Sequence, residues 1–249
     1  MTIPLGCLYA GAYYPQALSL PTFPRKRPVG GLYCAALYYT PHGKSNTPRG
    51  GEKKGDMVTR VRVVFLGTPG FATIPLQALA DDTRYELVGV VTQPDRPVKR
   101  SGTPEPPPVK QVAMRLGVPV LQPETLRDPD AVAALAALAP DVGVVAAYGE
   151  ILRKNVLAIP PHGYLNIHPS LLPRWRGPTP VTGAILAGDA ETGVSVMKLD
   201  MKMDSGPILA QHRQPLAQDD RAEPLTESLF QIGSRLLVDV IEPYVLGAL

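Results

Sequence analysis

The chain has 249 residues, 45% hydrophobic and 19% charged, which is enough to enclose one full α/β domain and too apolar for a disordered tail. No membrane span is expected, because no apolar run of roughly eighteen residues occurs. The N-terminus also lacks the basic start of a secretory signal, so the cytoplasm is the expected compartment. The net charge of +3 hides an asymmetry: residues 1–56 hold seven of the 25 Lys and Arg but two of the 22 acids, leaving the remainder at −2. That remainder has no global field to steer it to nucleic acid, so any RNA contact must be local.

In chain order, residues 1–56 combine Pro15, Pro21, Pro24, Pro28, Pro41 and Pro48 with six of the ten tyrosines and show no helical or strand period. A poorly ordered leader is expected there, with Met57 as the biological start. Both cysteines, Cys7 and Cys34, fall in this segment, so the rest of the chain has no thiol to offer as nucleophile, disulfide partner or zinc ligand. Strands are expected at residues 61–66, 86–92, 142–147 and 165–168. Helices are expected at 71–80, 109–116, 130–138 (with Pro129 suited to a helix start) and 180–187. That alternation favours parallel pairing through right-handed crossovers. Residues 193–199 and 207–213 are separated by a short link, which suits a hairpin. Residues 226–246 repeat apolar side chains at Leu229, Ile232, Leu236, Leu237 and Val240 and read as an amphipathic closing helix. The expected fold is therefore α/β: a Rossmann-like, mostly parallel sheet flanked by helices, with a hairpin-type mixed edge.

Four stretches carry chemistry. Gly67-Thr68-Pro69-Gly70-Phe71-Ala72 turns a strand into a helix, but it is not G-x-G-x-x-G and Pro69 removes a backbone donor, so a structural turn is expected rather than a nicotinamide site. Residues 92–110 form a long, proline-stiffened loop carrying Arg96, Lys99, Arg100 and Lys110. It is either a binding loop or a solvated one. In Asn166-Ile167-His168-Pro169-Ser170-Leu171-Leu172-Pro173, the two-residue strand period puts Asn166 and His168 on one face, and Pro169 and Pro173 end the ladder. Asp204, on the hairpin link, could supply a carboxylate to orient or charge the imidazole. His168 could equally be a buried histidine satisfied by a carbonyl. Trp175, between Arg174 and Arg176, could stack on a base or pack under its loop while the arginines meet surface acids. His162 and His212 read as surface or strand-end residues and Asp200 as a turn residue. Met197, Met201 and Met203 read as core and hairpin packing.

Together FLGTPGFA, VTQPDRP, AYGEIL, NIHPSLLPRWRG, GDAETGVSVM and MDSGPILAQ resemble the 10-formyltetrahydrofolate-dependent formyltransferase family over residues 61–211. The resemblance implies that Asn166, His168 and Asp204 are the catalytic trio and that Ser170, Leu171, Leu172 and Pro173 line the folate pocket. It implies 10-formyltetrahydrofolate as formyl donor, with no metal in the chemistry. VTQPDRP and RWRG resemble the branch whose acceptor is initiator Met-tRNA, with the 94–110 loop reaching the acceptor end. The alternatives are a formyltransferase acting on a small amine (an amino sugar or glycinamide ribonucleotide), a hydrolase releasing formate, or a truncated, non-catalytic folate-binding module. On this resemblance residues 57–249 are the catalytic domain, a C-terminal tRNA-binding β-barrel is absent, and a monomer is expected.

Overall fold

The computed structural model describes residues 60–97 and 102–249. The expected leader, with Cys7 and Cys34, and the loop residues Lys99 and Arg100 lie outside them. β1 (Val61–Gly67) is closed to solvent from Val63 to Leu66 on both faces. A strand so enclosed needs a helix layer on each side of its sheet. Along the sheet the order is β5 (Val120–Leu121), β2 (Tyr85–Val91), β1, β6 (Val142–Ala146), β7 (Tyr164–His168), β8 (Glu191–Lys198), β9 (Ile208–Pro215). From β5 to β7 the pairs are parallel. From β7 through β8 to β9 they are antiparallel, which is the expected mixed edge.

One helix layer holds α1 (Thr73–Asp81), α2 (Pro108–Arg115) and the long α6 (Ala222–Val245), whose Leu76, Val109 and Leu229 share a core with Val63, Phe65, Leu165 and Ile167. The opposite layer holds α3 (Pro129–Ala137) and the one-turn α4 (Lys154–Leu157), whose Leu135 and Val156 pack with Val64, Leu66 and Tyr164. Two glycines permit close approach. A Cβ on Gly233 of α6 would stand 2.7 Å from Ile167, and one on Gly143 of β6 would overlap the Tyr164 ring. Leu165 and Ile167 thus face α6, and strand alternation turns Asn166 and His168 the other way.

Parity and turn chemistry account for the elements that match expectation. Asp128 caps α3 by accepting from the Asp130 N–H, with Pro129 in the first helical turn as anticipated. The departures are short elements and ends. β5, α4 and the small ladder of β3 (Arg96–Pro97) with β4 (Pro104–Glu105) were not anticipated, and α6 begins at Ala222 rather than residue 226. Met197 is fully buried, but Met201 and Met203 are 64% and 56% exposed, correcting their reading as packing residues: the hairpin link holding them stands clear of the core.

The chain visits β1, β2 and β5 in one direction along the sheet, then returns to the other side of β1 for β6 and β7. Loops leaving the carboxyl ends of β1 and β6 therefore diverge, and such a reversal opens a crevice that serves as the usual ligand site of open α/β sheets.

Candidate active site

A cavity of about 420 Å³ lies at that reversal. Phe71 after β1, Val145 and Ala147 to Glu150 at the end of β6, Asn166 and His168 of β7, and Met203 and Asp204 of the hairpin link all line it. The structure therefore brings together the three residues singled out from sequence. Asn166 and His168 are buried, at 9% and 5% exposed, although both line the cavity.

The loop after β7 sets the polarity of this cluster. His168 Nε2 stands 2.9 Å from the Trp175 carbonyl oxygen. A carbonyl can only accept, so Nε2 carries the hydrogen and Nδ1 is the nitrogen left for chemistry. Nδ1 faces Asp204 Oδ2 at 3.8 Å, longer than a hydrogen bond. Two residues beyond Trp175, the Gly177 N–H donates to the same Asp204 oxygen at 2.8 Å. One short loop thereby fixes both the imidazole and the carboxylate. In the imidazolium form the ring would donate to Trp175 and present its second N–H between Asp204 and the cavity.

The backbone here is strained. Of the four non-glycine residues with positive φ among those described, Ala147 (50°), Trp175 (59°) and Asp204 (47°) belong to this site. The left-handed region costs an L-residue roughly 1–2 kcal/mol, so the surrounding contacts must hold each in place. On the β6 side of the cavity, Glu150 accepts from Thr125 Oγ at 2.7 Å and from the Leu126 N–H at 3.0 Å. Tyr148, beside it, is buried with an unpartnered hydroxyl, and burial pushes its phenol above the ordinary value. Sequence reasoning assigned no role to this wall or to the Phe71–Phe230 pair (centroids 4.6 Å apart). Its signal was the AYGE run directly after a buried strand.

Ser170, Leu171, Leu172 and Pro173 stand elsewhere. Ser170 is fully buried and donates to the Arg174 carbonyl at 2.8 Å. Leu171, Leu172 and Pro173 line a second cavity of about 410 Å³ with Arg174, Trp175, Asp189 and Gln211. Of the two readings of Trp175, packing prevails. Its ring lies against Gly183 of α5 (Pro180–Leu186), its Nε1 donates to Asp189 Oδ2 at 2.6 Å, and Arg174 pairs with the same carboxylate. In the long proline loop, Lys110 is bound by Asp95 at 2.7 Å and Arg96 by Glu124 at 3.4 Å, so both described cations already have acidic partners. Asp200 accepts from the Lys202 N–H and the Ser205 hydroxyl, as a turn residue should. His212 is exposed on β9, and His162 is half-buried just before β7. No helix among the described residues is long and apolar enough to cross a membrane.

A mostly parallel sheet whose strand ends open on a cavity lined by Asn166 and His168 defines a ligand-binding α/β protein, and the chain belongs to the Formyl transferase family, which it matches over residues 61–241. It is 66% identical over 189 residues to the methionyl-tRNA formyltransferase of Roseiflexus sp. (strain RS-1), covering 76% of this chain and 58% of that protein. To the methionyl-tRNA formyltransferase of Chloroflexus aggregans it is 61% identical over 187 residues, covering 75% and 60%. The chain thus spans about three fifths of the length of these relatives. Among solved structures, glycinamide ribonucleotide transformylase 1 from Symbiobacterium toebii aligns at a TM-score of 0.63 and 26% identity, covering 76% of this chain and 89% of that one.

Proposed function

We propose that this chain transfers the formyl group of 10-formyltetrahydrofolate to the α-amine of methionine on initiator tRNA, a step of translation initiation in the cytoplasm, acting as a monomer. The observation that carries the reading is the convergence of Asn166, His168 and Asp204 on one cavity at the sheet's reversal point. High identity to methionyl-tRNA formyltransferases supports the choice of acceptor.

The cavity suits such a donor, because apolar walls at Phe71, Val145 and Phe230 could receive a ring system beside a cluster of hydrogen-bonding tips. When bound, 10-formyltetrahydrofolate would supply an activated formyl carbonyl. Asn166 would donate its amide N–H, and His168 its Nδ1–H, to the oxygen that gains negative charge as an amine adds to that carbonyl. Asp204 would keep the imidazolium oriented and take the proton the amine loses, directly or through water, and a proton would return to N10 as the N10–formyl bond breaks and tetrahydrofolate leaves. Removing one such donor costs about 3 kcal/mol, or roughly a hundredfold in rate. Ser170, Leu171, Leu172 and Pro173 are proposed to bear on the folate end from the neighbouring cavity, and the 94–110 loop on the tRNA acceptor end.

The test is transfer from 10-formyltetrahydrofolate to charged initiator tRNA by the full chain and by His168→Ala. The variant should lose about a hundredfold or more while still binding the folate; an unchanged rate would refute the assignment. Glycinamide ribonucleotide as acceptor, in the same assay, tests the small-amine reading that the structural likeness favours.

A further inference from the structure

The loop that fixes His168 and Asp204 is itself held by two side chains outside the cavity. Ser195, on β8, is fully buried. Its hydroxyl donates to the Ser170 carbonyl at 2.6 Å and accepts the Leu172 N–H at 3.2 Å and Gln211 Nε2 at 2.8 Å. Gln211, on β9, spends the second hydrogen of that amide on the Leu172 carbonyl at 2.9 Å. A hydroxyl has one hydrogen and two lone pairs, and an amide nitrogen two hydrogens, so the Ser195 hydroxyl and the Gln211 amide nitrogen are both fully used. Ser170 then donates to the Arg174 carbonyl, the residue before Trp175, whose own carbonyl meets His168 Nε2. The chain of contacts runs from the antiparallel edge of the sheet to the imidazole without a gap.

Resting on the proposed formyl-transfer reading, we infer that Ser195 and Gln211 are positioning residues. They pin the Ser170 to Trp175 loop so that the Trp175 carbonyl selects the Nε2–H form of His168 and leaves Nδ1 for the reaction. Neither is among the residues lining the His168 cavity; Gln211 lines the neighbouring one, and Ser195 lines neither. The pairing of β8 with β7 puts Ser195 directly opposite His168, so the strand register that builds the sheet also delivers the hydroxyl to the loop. Both residues come from the two antiparallel strands, which gives the mixed edge a part in the site it borders.

The experiment compares the full chain with Ser195→Ala, Ser195→Thr and Gln211→Met, reading transfer kinetics and, independently, the nitrogen-15 shifts of the His168 ring. Loss of His168 signals in His168→Ala assigns that ring among the chain's four histidines. Ser195→Ala and Gln211→Met should lower kcat between about tenfold and a hundredfold, as a misplacement near 1 Å does. KM for the donor should change little in Ser195→Ala, because Ser195 lines neither cavity, and Ser195→Thr, which keeps the hydroxyl, should restore the rate. In the two weakened variants the ring should no longer show a single Nε2–H form. Parent-like ring shifts together with an unchanged kcat, even with a lowered melting temperature, would reduce both residues to ordinary fold stabilisers. The ring shifts need no turnover, so a parent chain that fails to transfer formyl groups would overturn the function and leave the positioning test standing. Should Ser195→Ala fail to fold, the His168 ring shifts of Gln211→Met decide.

Discussion

At the N-terminal ends of the parallel strands, Arg62 gathers the chain with contacts that close on themselves. Its N–H donates to Asp141, its Nε to the Ala139 carbonyl at 2.9 Å and its Nη2 to the Leu138 carbonyl at 2.8 Å, and it pairs with Glu86. Ala139 has positive φ too, but it stops α3 with its N–H bonded to the Ala136 carbonyl, which is how helices commonly end. At the C-terminal ends, Ala147, Trp175 and Asp204 are left-handed with no helix to stop, and Asn166 and His168 are buried polar groups aimed at a cavity. One end satisfies its own groups; the other holds groups in readiness for something else. Strain and unspent polarity at one end of a sheet mark function, whereas saturated polarity at the opposite end marks stability.

Asp204→Asn should separate the two ends most widely. The amide tolerates the left-handed backbone and its oxygen still accepts from Gly177, so the fold should hold. It removes the charge 3.8 Å from His168 Nδ1 and the acceptor for the amine proton. Transfer should fall about a hundredfold or more, with a melting temperature near the parent's. Loss of both together would mean that Asp204 serves the fold and that the contrast between the ends is illusory.

Much of that contrast was readable before the structure, because it depends on short-range rules. The alternation of Tyr164 to His168 assigns Asn166 and His168 to one face, and proline on either side of the SLL run ends the strand. The burial of all five strand residues needs only that parity plus a helix on each side. What escaped depends on partners distant in sequence. Ser195 and Gln211 look like unremarkable strand polars until β8 and β9 are laid beside the loop, 23 and 39 residues from Leu172. Asp189 gave no sign that it would bind both Arg174 and the indole of Trp175. β5 and α4, at two and four residues, are too short to show a period at all and exist because the sheet edge and the second core receive them.

Arg62→Ala probes the opposite end. It removes two hydrogen bonds to carbonyls at the α3 turn and an exposed ion pair with Glu86 that contributes little by itself. The expected loss is about 1–2 kcal/mol of stability, or roughly 2–8 °C in melting temperature. The kcat for transfer should equal the parent's. A fall in kcat at equal stability would show that the two ends of the sheet communicate, and would weaken the distinction drawn from their backbones.

The smallest effect concerns Asp189, which lies at the second cavity and supports the loop from its outer side. The Arg174 guanidinium, and then the Trp175 indole, hold its carboxyl below the usual carboxylate range. A depressed folded-state value means the contact stabilises fully above the unfolded value of about 3.9. That contribution is lost as pH falls through the folded value, where the unfolded chain already carries the proton. The chain has one tryptophan, so its emission reports this contact directly. On acid titration the emission of the parent should change below about pH 4, and its stability advantage over Asp189→Asn should shrink over the same range. Near neutral pH, Asp189→Asn should melt slightly earlier and leave kcat almost unchanged, because the Ser195 and Gln211 clamp still holds the inner side of the loop. Identical acid profiles for the two proteins would mean that the indole contact adds nothing to folding and that the inner clamp alone sets the loop.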